Sequence, residues 1–317
     1  MLSRRHFRIK VMQALYAFTQ AGDDRLDVAE RSLRKSFDKM YDLYIHLISF
    51  ILETADFAQQ RMEESKNKFF PTEEDLNPNT RFVDNRVIRS ISGNPAFRKQ
   101  YDRLKINWSD ERELVRRHWI AFRDSEEMQQ YLQSGKDGLE NDRNILKVYI
   151  RDHMAASDSL RYFYEEQDIH WADDFDTMLG MVLKTVKSFG EAGEDFPPVL
   201  IHEDEGVDEM KEFIIPLFRK TIVNGEEYGK LIAQQARNWE FDRIAVLDVI
   251  LMKMAICELV QFSSIPVKVT INEYIEISKG YSTAKSRVFI NGMLDKLLET
   301  LKESKMIRKT GRGLLDS

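Results

Sequence analysis

One cysteine, seven prolines and fourteen glycines in 317 residues leave little material for several large classes of protein. A lone thiol, Cys257, cannot close an internal disulfide or build a multi-cysteine zinc or iron-sulfur site. So few turn formers also give poor punctuation for a strand-rich fold. Nothing approaches 18 uninterrupted apolar residues, and the opening MLSRRHFRIK carries charge where a signal peptide carries an apolar stretch. The expectation is a cytoplasmic chain with no membrane partner. No G-x-G-x-x-G follows a strand pattern, no G-x-x-x-x-G-K-[ST] occurs, and no two of the six histidines stand at H-x-x-x-H spacing. His170 with Asp173, Asp174 and Asp176, and His202 with Glu203, Asp204 and Glu205, read as solvated acidic surface rather than metal sites. Cys257 lies in the most apolar segment of the chain, where a thiol behaves as a small hydrophobe. The chain is therefore expected to carry no catalytic residue, no metal and no cofactor.

What is abundant is charge and helical periodicity. Charged residues make up 32% of the chain and hydrophobic ones 43%, enough for a core beneath a heavily charged surface. The net charge of -6 is unevenly spread. Residues 1 to 22 carry +4, residues 266 to 312 carry +5, and the stretch from 23 to 265 carries -14. Two basic ends on an acidic chain fit one positive face made by folding, or two solvated basic termini; charge alone leaves both open.

The periodicity is helical throughout, and the expected class is all-α. Phe7, Val11, Ala14, Leu15 and Phe18 form the stripe of a first helix with Ser3 placed to cap it. Leu43, Leu47, Phe50, Ile51 and Ala55 repeat in the same way within one or two long helices over about 24 to 68. Breaks at Pro71 to Phe82 and Ile91 to Phe97 precede a helix capped by Ser109 and further helices over roughly 142 to 165 and 172 to 188. The Gly-, Pro- and acid-rich stretch around 189 to 206 is the best internal boundary. Beyond it, Arg243 to Val260 is apolar on nearly all sides, the mark of a central buried helix. Thr270 with Glu273 has capping-box spacing, Gly280 is placed to end that helix, and Gly292 is placed to admit a close neighbour in the last one.

Candidate binding chemistry lies at the two basic ends. Arg4, Arg5 and Arg8 combine guanidinium forks with the free amides of a helix start, which suits phosphates. The segment from Gly280 to Arg287 sets Tyr281 beside Lys285 and Arg287, with Phe289 following. Aromatics interleaved with cations suit single-stranded RNA, whose bases stack on rings while cations hold the backbone. Helical spacing fits Phe289 equally well to a core.

At these same residues the chain resembles the NusB transcription antitermination family. RRHFRIKVMQALYAF is similar to that family's arginine-rich first helix with its QALY-like tetrapeptide, here Gln13 to Tyr16. The C-terminal half carries a helix ending in EL, then IP, then INE opening a helix, then FINGMLD from Phe289 to Asp295. The resemblance covers residues 1 to about 22 and about 207 to 303. It implies an all-helical, non-enzymatic factor that binds boxA-like RNA with the ribosomal protein NusE within RNA polymerase antitermination complexes. It implies RNA contacts at Arg4, Arg5, Arg8, Lys268, Tyr281, Lys285, Arg287 and Phe289, and a NusE surface including Tyr16 and Asp248. A buried cap or ion pair is the rival reading of Asp248. His6 and Phe7 interrupt the arginine cluster, a departure from the family pattern.

The implied division is 1 to 59 and 206 to 317 as one family domain, with 60 to 205 a helical insertion containing Trp108, Trp119 and Trp171. Covering the RNA surface, touching polymerase and homodimerisation are all open roles for that insertion. The competing functions are an RNA-modifying protein, since similar domains occur fused to ribosomal RNA methyltransferases, and a helical scaffold that binds no RNA.

Overall fold

The computed structural model describes residues 2–22, 25–134, 138–189, 203–204, 207–236 and 244–315. Helix α1 (Arg4–Ala21) buries Phe7, Val11, Met12 and Leu15 and stops at Gly22, whose φ of 58° is the left-handed conformation glycine adopts without strain. Helix α2 (Leu26–Lys66) is one continuous element with Asp27 in its first turn and Lys66 in its last, both favourable to the helix dipole. The contacts divide the chain into two compact units, Met1–Lys35 with Ile201–Ser317, and Ser36–Leu200. The division falls within α2, at Lys35 and Ser36, whereas the resemblance placed the first junction at 59 and 60. The stripe of Leu43, Leu47, Phe50, Ile51 and Ala55 is buried in the second unit.

The Ser36–Leu200 unit continues with short helices α3 (Glu73–Leu76), α4 (Arg86–Gly93), α5 (Pro95–Leu104), α6 (Arg112–Arg123), α7 (Glu126–Gln133), α8 (Leu139–Val148), α9 (Asp158–Gln167) and α10 (Phe175–Ser188). Their starts follow local chemistry. Asn85, Asn94, Ser125 and Ser157 accept hydrogen bonds from the first free amides of α4, α5, α7 and α9, and Pro95 occupies the first position of α5. Ser109 opens a 3-10 turn rather than α6, and the stretch predicted as one helix from 142 is broken by a π-helical turn at Tyr149–Met154. Trp108, Trp119 and Trp171 are all buried in this unit. The Trp108 indole donates to Ser49 Oγ at 3.1 Å and that of Trp171 to the Lys39 carbonyl at 2.9 Å. Phe50 packs against Trp108 and meets His118 edge-on, with ring centroids 4.9 Å apart.

In the other unit, a two-residue antiparallel ladder, β1 (Glu203–Asp204) with β2 (Val207–Asp208), leads through a π-helical turn (Met210–Ile214) into α11 (Ile215–Val223). Then come α12 (Gly225–Gln235), α13 (Val246–Gln261), α14 (Val267–Tyr281) and α15 (Ala284–Glu303). The central helix is α13, which packs against α1, α11, α12, α14 and α15 and buries Leu251, Met252, Met254, Ala255, Ile256 and Leu259 completely. Cys257 is buried there too, and burial pushes its thiol up to about 11.

Three local expectations in this unit are corrected. Thr270 is not a cap: α14 already starts at Val267 after Pro266, and the Thr270 hydroxyl points into the core. Gly280 lies inside α14 without a positive φ, and the chain leaves that helix through an extended Ser282 before Thr283 caps α15 through the Ser286 amide. Gly292 does sit within α15, but a Cβ there would meet nothing within 4 Å, so no close neighbour requires it.

Candidate nucleic-acid interface

The three arginines of α1 have different fates. Arg4 and Arg5 are half-exposed. Arg4 donates from Nε and Nη2 to Glu209 Oε1 at 3.0 and 2.7 Å and lies over the Phe213 ring at 5.2 Å. Arg5 forms a two-pronged pair with Glu273 at 2.9 and 2.8 Å, which holds the Glu273 carboxyl below its ordinary range. Arg8 is buried. Its guanidinium donates to both oxygens of Glu258, at 2.8 and 2.6 Å, and approaches Glu273 at 3.8 Å. Burial disfavours the Arg8 charge, but the attraction and hydrogen bonds of Glu258 outweigh it and raise its pKa. Arg8 therefore presents nothing to a phosphate in this structure. It fastens the start of α1 to α13 and leaves Arg4 and Arg5 on the surface. Lys10, further along α1, is buried as well.

Glu258 is the residue that sequence reasoning passed over. Fully buried, it also accepts from Thr270 Oγ1 at 2.9 Å and from the Tyr274 hydroxyl at 3.1 Å, which joins α1, α13 and α14 through one carboxylate. The available signal was an acid in an otherwise apolar helix, since a buried carboxylate requires a cationic partner.

The second set of candidates does not form one patch. Lys268 is exposed in the first turn of α14, while Tyr281 is that helix's last residue, about 20 Å away at 1.5 Å rise per residue. Lys285 is exposed, and Arg287 and Phe289 are half-buried, in the first two turns of α15. The strongly exposed apolar side chain there is Val288, not Phe289. Arg5 meets α14 near its middle, at Glu273, and Arg4 pairs with Glu209 outside that helix, so Lys268 stands at the α14 start and Tyr281, Lys285, Arg287 and Phe289 mark the other end.

Tyr16 is 43% exposed on α1 and Asp248 only 2% exposed in the first turn of α13. Asp248 accepts a 2.6 Å hydrogen bond from Ser282 Oγ, at the connection between α14 and α15. The contact is a hydrogen bond from a hydroxyl, neither the helix cap nor the ion pair set against partner contact for this residue. An open groove of about 470 Å³ runs between α1, α11, α12 and α13, lined by Leu15, Phe18, Ile222, Val246, Val249 and Lys253; Tyr16 does not line it. Among the described residues no three His, Cys, Asp or Glu side chains converge as metal ligands, and no helix is long and apolar enough to cross a membrane. His202 and Glu205 lie outside the described residues.

The NusB family model matches residues 187–299. The transcription antitermination protein NusB of Bacillus mycoides is 39% identical over 111 residues, 34% of this chain and 85% of that protein. The chain belongs to the NusB family. The NusB proteins of Chloroherpeton thalassium and Salinibacter ruber are 42% and 44% identical over 118 and 105 residues, 37% and 33% of this chain. The aligned stretch spans 56% and 66% of those two relatives. No solved structure gives a significant match. The matched NusB region holds Glu258, Lys268, Glu273 and the candidates on α15, while residues 1–186, α1 among them, lie outside it. Helix α1 nevertheless packs on the NusB-matched helices α11, α13 and α14, with Arg8 on Glu258 as its buried fastening.

Proposed function

We propose that this chain is a transcription antitermination factor that binds RNA without catalysing a reaction, with boxA-like single-stranded RNA as ligand and NusE as partner, in support of ribosomal RNA transcription. The observation that carries the reading is the pair of half-exposed guanidinium forks, Arg4 and Arg5, at the start of α1, which the buried Arg8 to Glu258 bond fastens to α13. Both forks are paired with carboxylates. In each pair the carboxylate is the more buried partner, Glu209 at 13% and Glu273 at 20% exposure, and a phosphate, which accepts the fork geometry of a guanidinium, would compete with that carboxylate for Arg4 or Arg5. The names of the relatives support the antitermination role. Lys268, Tyr281, Lys285, Arg287 and Phe289 would supply the further contacts of the RNA strand along α14 and the start of α15. The apolar groove between α1, α11, α12 and α13 is a surface suited to the protein partner.

The test is a mobility-shift titration of boxA-like and scrambled RNA with and without NusE. The expected result is preferential binding of the boxA-like strand, tightened by NusE. Equal affinity for both strands in the presence of NusE would contradict sequence-specific recognition.

A further inference from the structure

The residues after α15, beyond the region matched to NusB, form a strap. Lys305 takes a left-handed φ of 54°, and the Met306 amide donates back to the Leu301 carbonyl at 3.0 Å, so the chain turns out of the helix. It is then pinned to the connection between α13 and α14. Lys309 Nζ donates to the carbonyls of Phe262 at 2.9 Å and Glu258 at 3.4 Å, a cation at the negative end of α13. The Thr310 amide donates to the Ser263 carbonyl at 3.0 Å, and the hydroxyls of the two residues bond at 3.0 Å. Gly313 lies so close that a Cβ would stand 1.9 Å from the Ser263 oxygen.

These anchors bring the strap to the end of the unit where α1 begins. Phe262, whose carbonyl takes Lys309, meets Phe213 with ring centroids 5.4 Å apart, and Phe213 is the ring that Arg4 covers at 5.2 Å. The cations there differ in availability. Arg4, Arg5 and Arg8 each hold a carboxylate. Arg308 and Arg312 are exposed, and among the described residues neither makes an ion pair. They flank Thr310 and Gly311, small residues that let a backbone approach closely.

We propose that the strap is a second phosphate-binding element, in which Arg308 and Arg312 hold the backbone of the same RNA strand that Arg4 and Arg5 engage. This rests on the RNA-binding reading above. The strap adds no base recognition. It lengthens the phosphate track past the start of α1 with two guanidinium forks that need displace no carboxylate.

The test uses the full-length protein and boxA-like single-stranded RNA, with affinity measured by fluorescence anisotropy over a range of salt. For R308Q/R312Q the slope of log affinity against log salt is expected to flatten by about 1.4, which makes binding about 25-fold weaker near 0.1 M salt and converges with the unaltered protein near about 1 M. R308K/R312K keeps both charges and is expected to keep the slope. A folded R308Q/R312Q protein with an unchanged slope would overturn the proposal, and so would a Lys variant that loses as much slope as the Gln variant. A flat slope in the unaltered protein would instead sink the RNA-binding reading, so the two failures are distinguishable.

Discussion

The Arg8 guanidinium and the Glu258 carboxylate meet in the core through hydrogen bonds of 2.8 and 2.6 Å, joining the first helix of the chain to a helix 250 residues later. Removing one partner of a buried pair strands the other charge, and the usual cost is about 3–5 kcal/mol. Glu258→Ala also strands the hydroxyls of Thr270 and Tyr274. Arg8→Ala and Glu258→Ala are each expected to lower the stability of this unit by that amount in calorimetry. A change below about 1 kcal/mol would contradict a fastening role.

This pair also shows where sequence reading works and where it stops. The stripe of Phe7, Val11 and Leu15 was legible because burial follows a fixed helical period, and all three are buried as predicted. Arg8 stands in the same helix, and its three-residue spacing from Arg5 says nothing of which arginine turns inward. That is decided by Glu258, which only the fold brings near. Asp248 was ambiguous for the same reason, since its partner Ser282 lies on a distant connection. Thr270 had the spacing of a capping box, yet Pro266 starts the helix earlier and turns Thr270 into the core.

The Asp248 bond to Ser282 makes its own prediction. Hydrogen bonds to charged groups contribute about 1.5–3 kcal/mol, so Asp248→Asn and Ser282→Ala should each destabilise, and the double variant should lose much less than their sum. A double-mutant cycle measures this. Strict additivity would mean that the two side chains do not depend on each other.

Burial lowers His118 to about 4, helped by the neighbouring charges of His153 and Arg117, while its ring bonds Ser157 Oγ at 2.9 Å. An unfolded histidine titrates near about 6.5, so between roughly pH 4 and 6.5 the unfolded chain binds the extra proton. Stability is then full above that window and falls as pH drops through it, by roughly 3 kcal/mol for this residue. His118→Gln should flatten that fall in urea titrations at pH 7, 6 and 5. An identical pH dependence in the variant would exclude His118 as its source.

Gly313→Ala forces a Cβ toward the Ser263 carbonyl and should lift the strap. Limited trypsin digestion is expected to cut after Arg308, Lys309 or Arg312 faster than in the unaltered protein, with the helices intact. Equal cleavage rates would show that the strap is not held by this contact.

The most direct test of RNA binding at the start of α1 is the salt dependence of affinity for boxA-like RNA in R4Q/R5Q against the unaltered protein. Two lost phosphate contacts with a single strand should flatten the slope of log affinity against log salt by about 1.4, with the fold preserved because Arg8 and Glu258 are untouched. A folded R4Q/R5Q protein with the original slope would contradict the account.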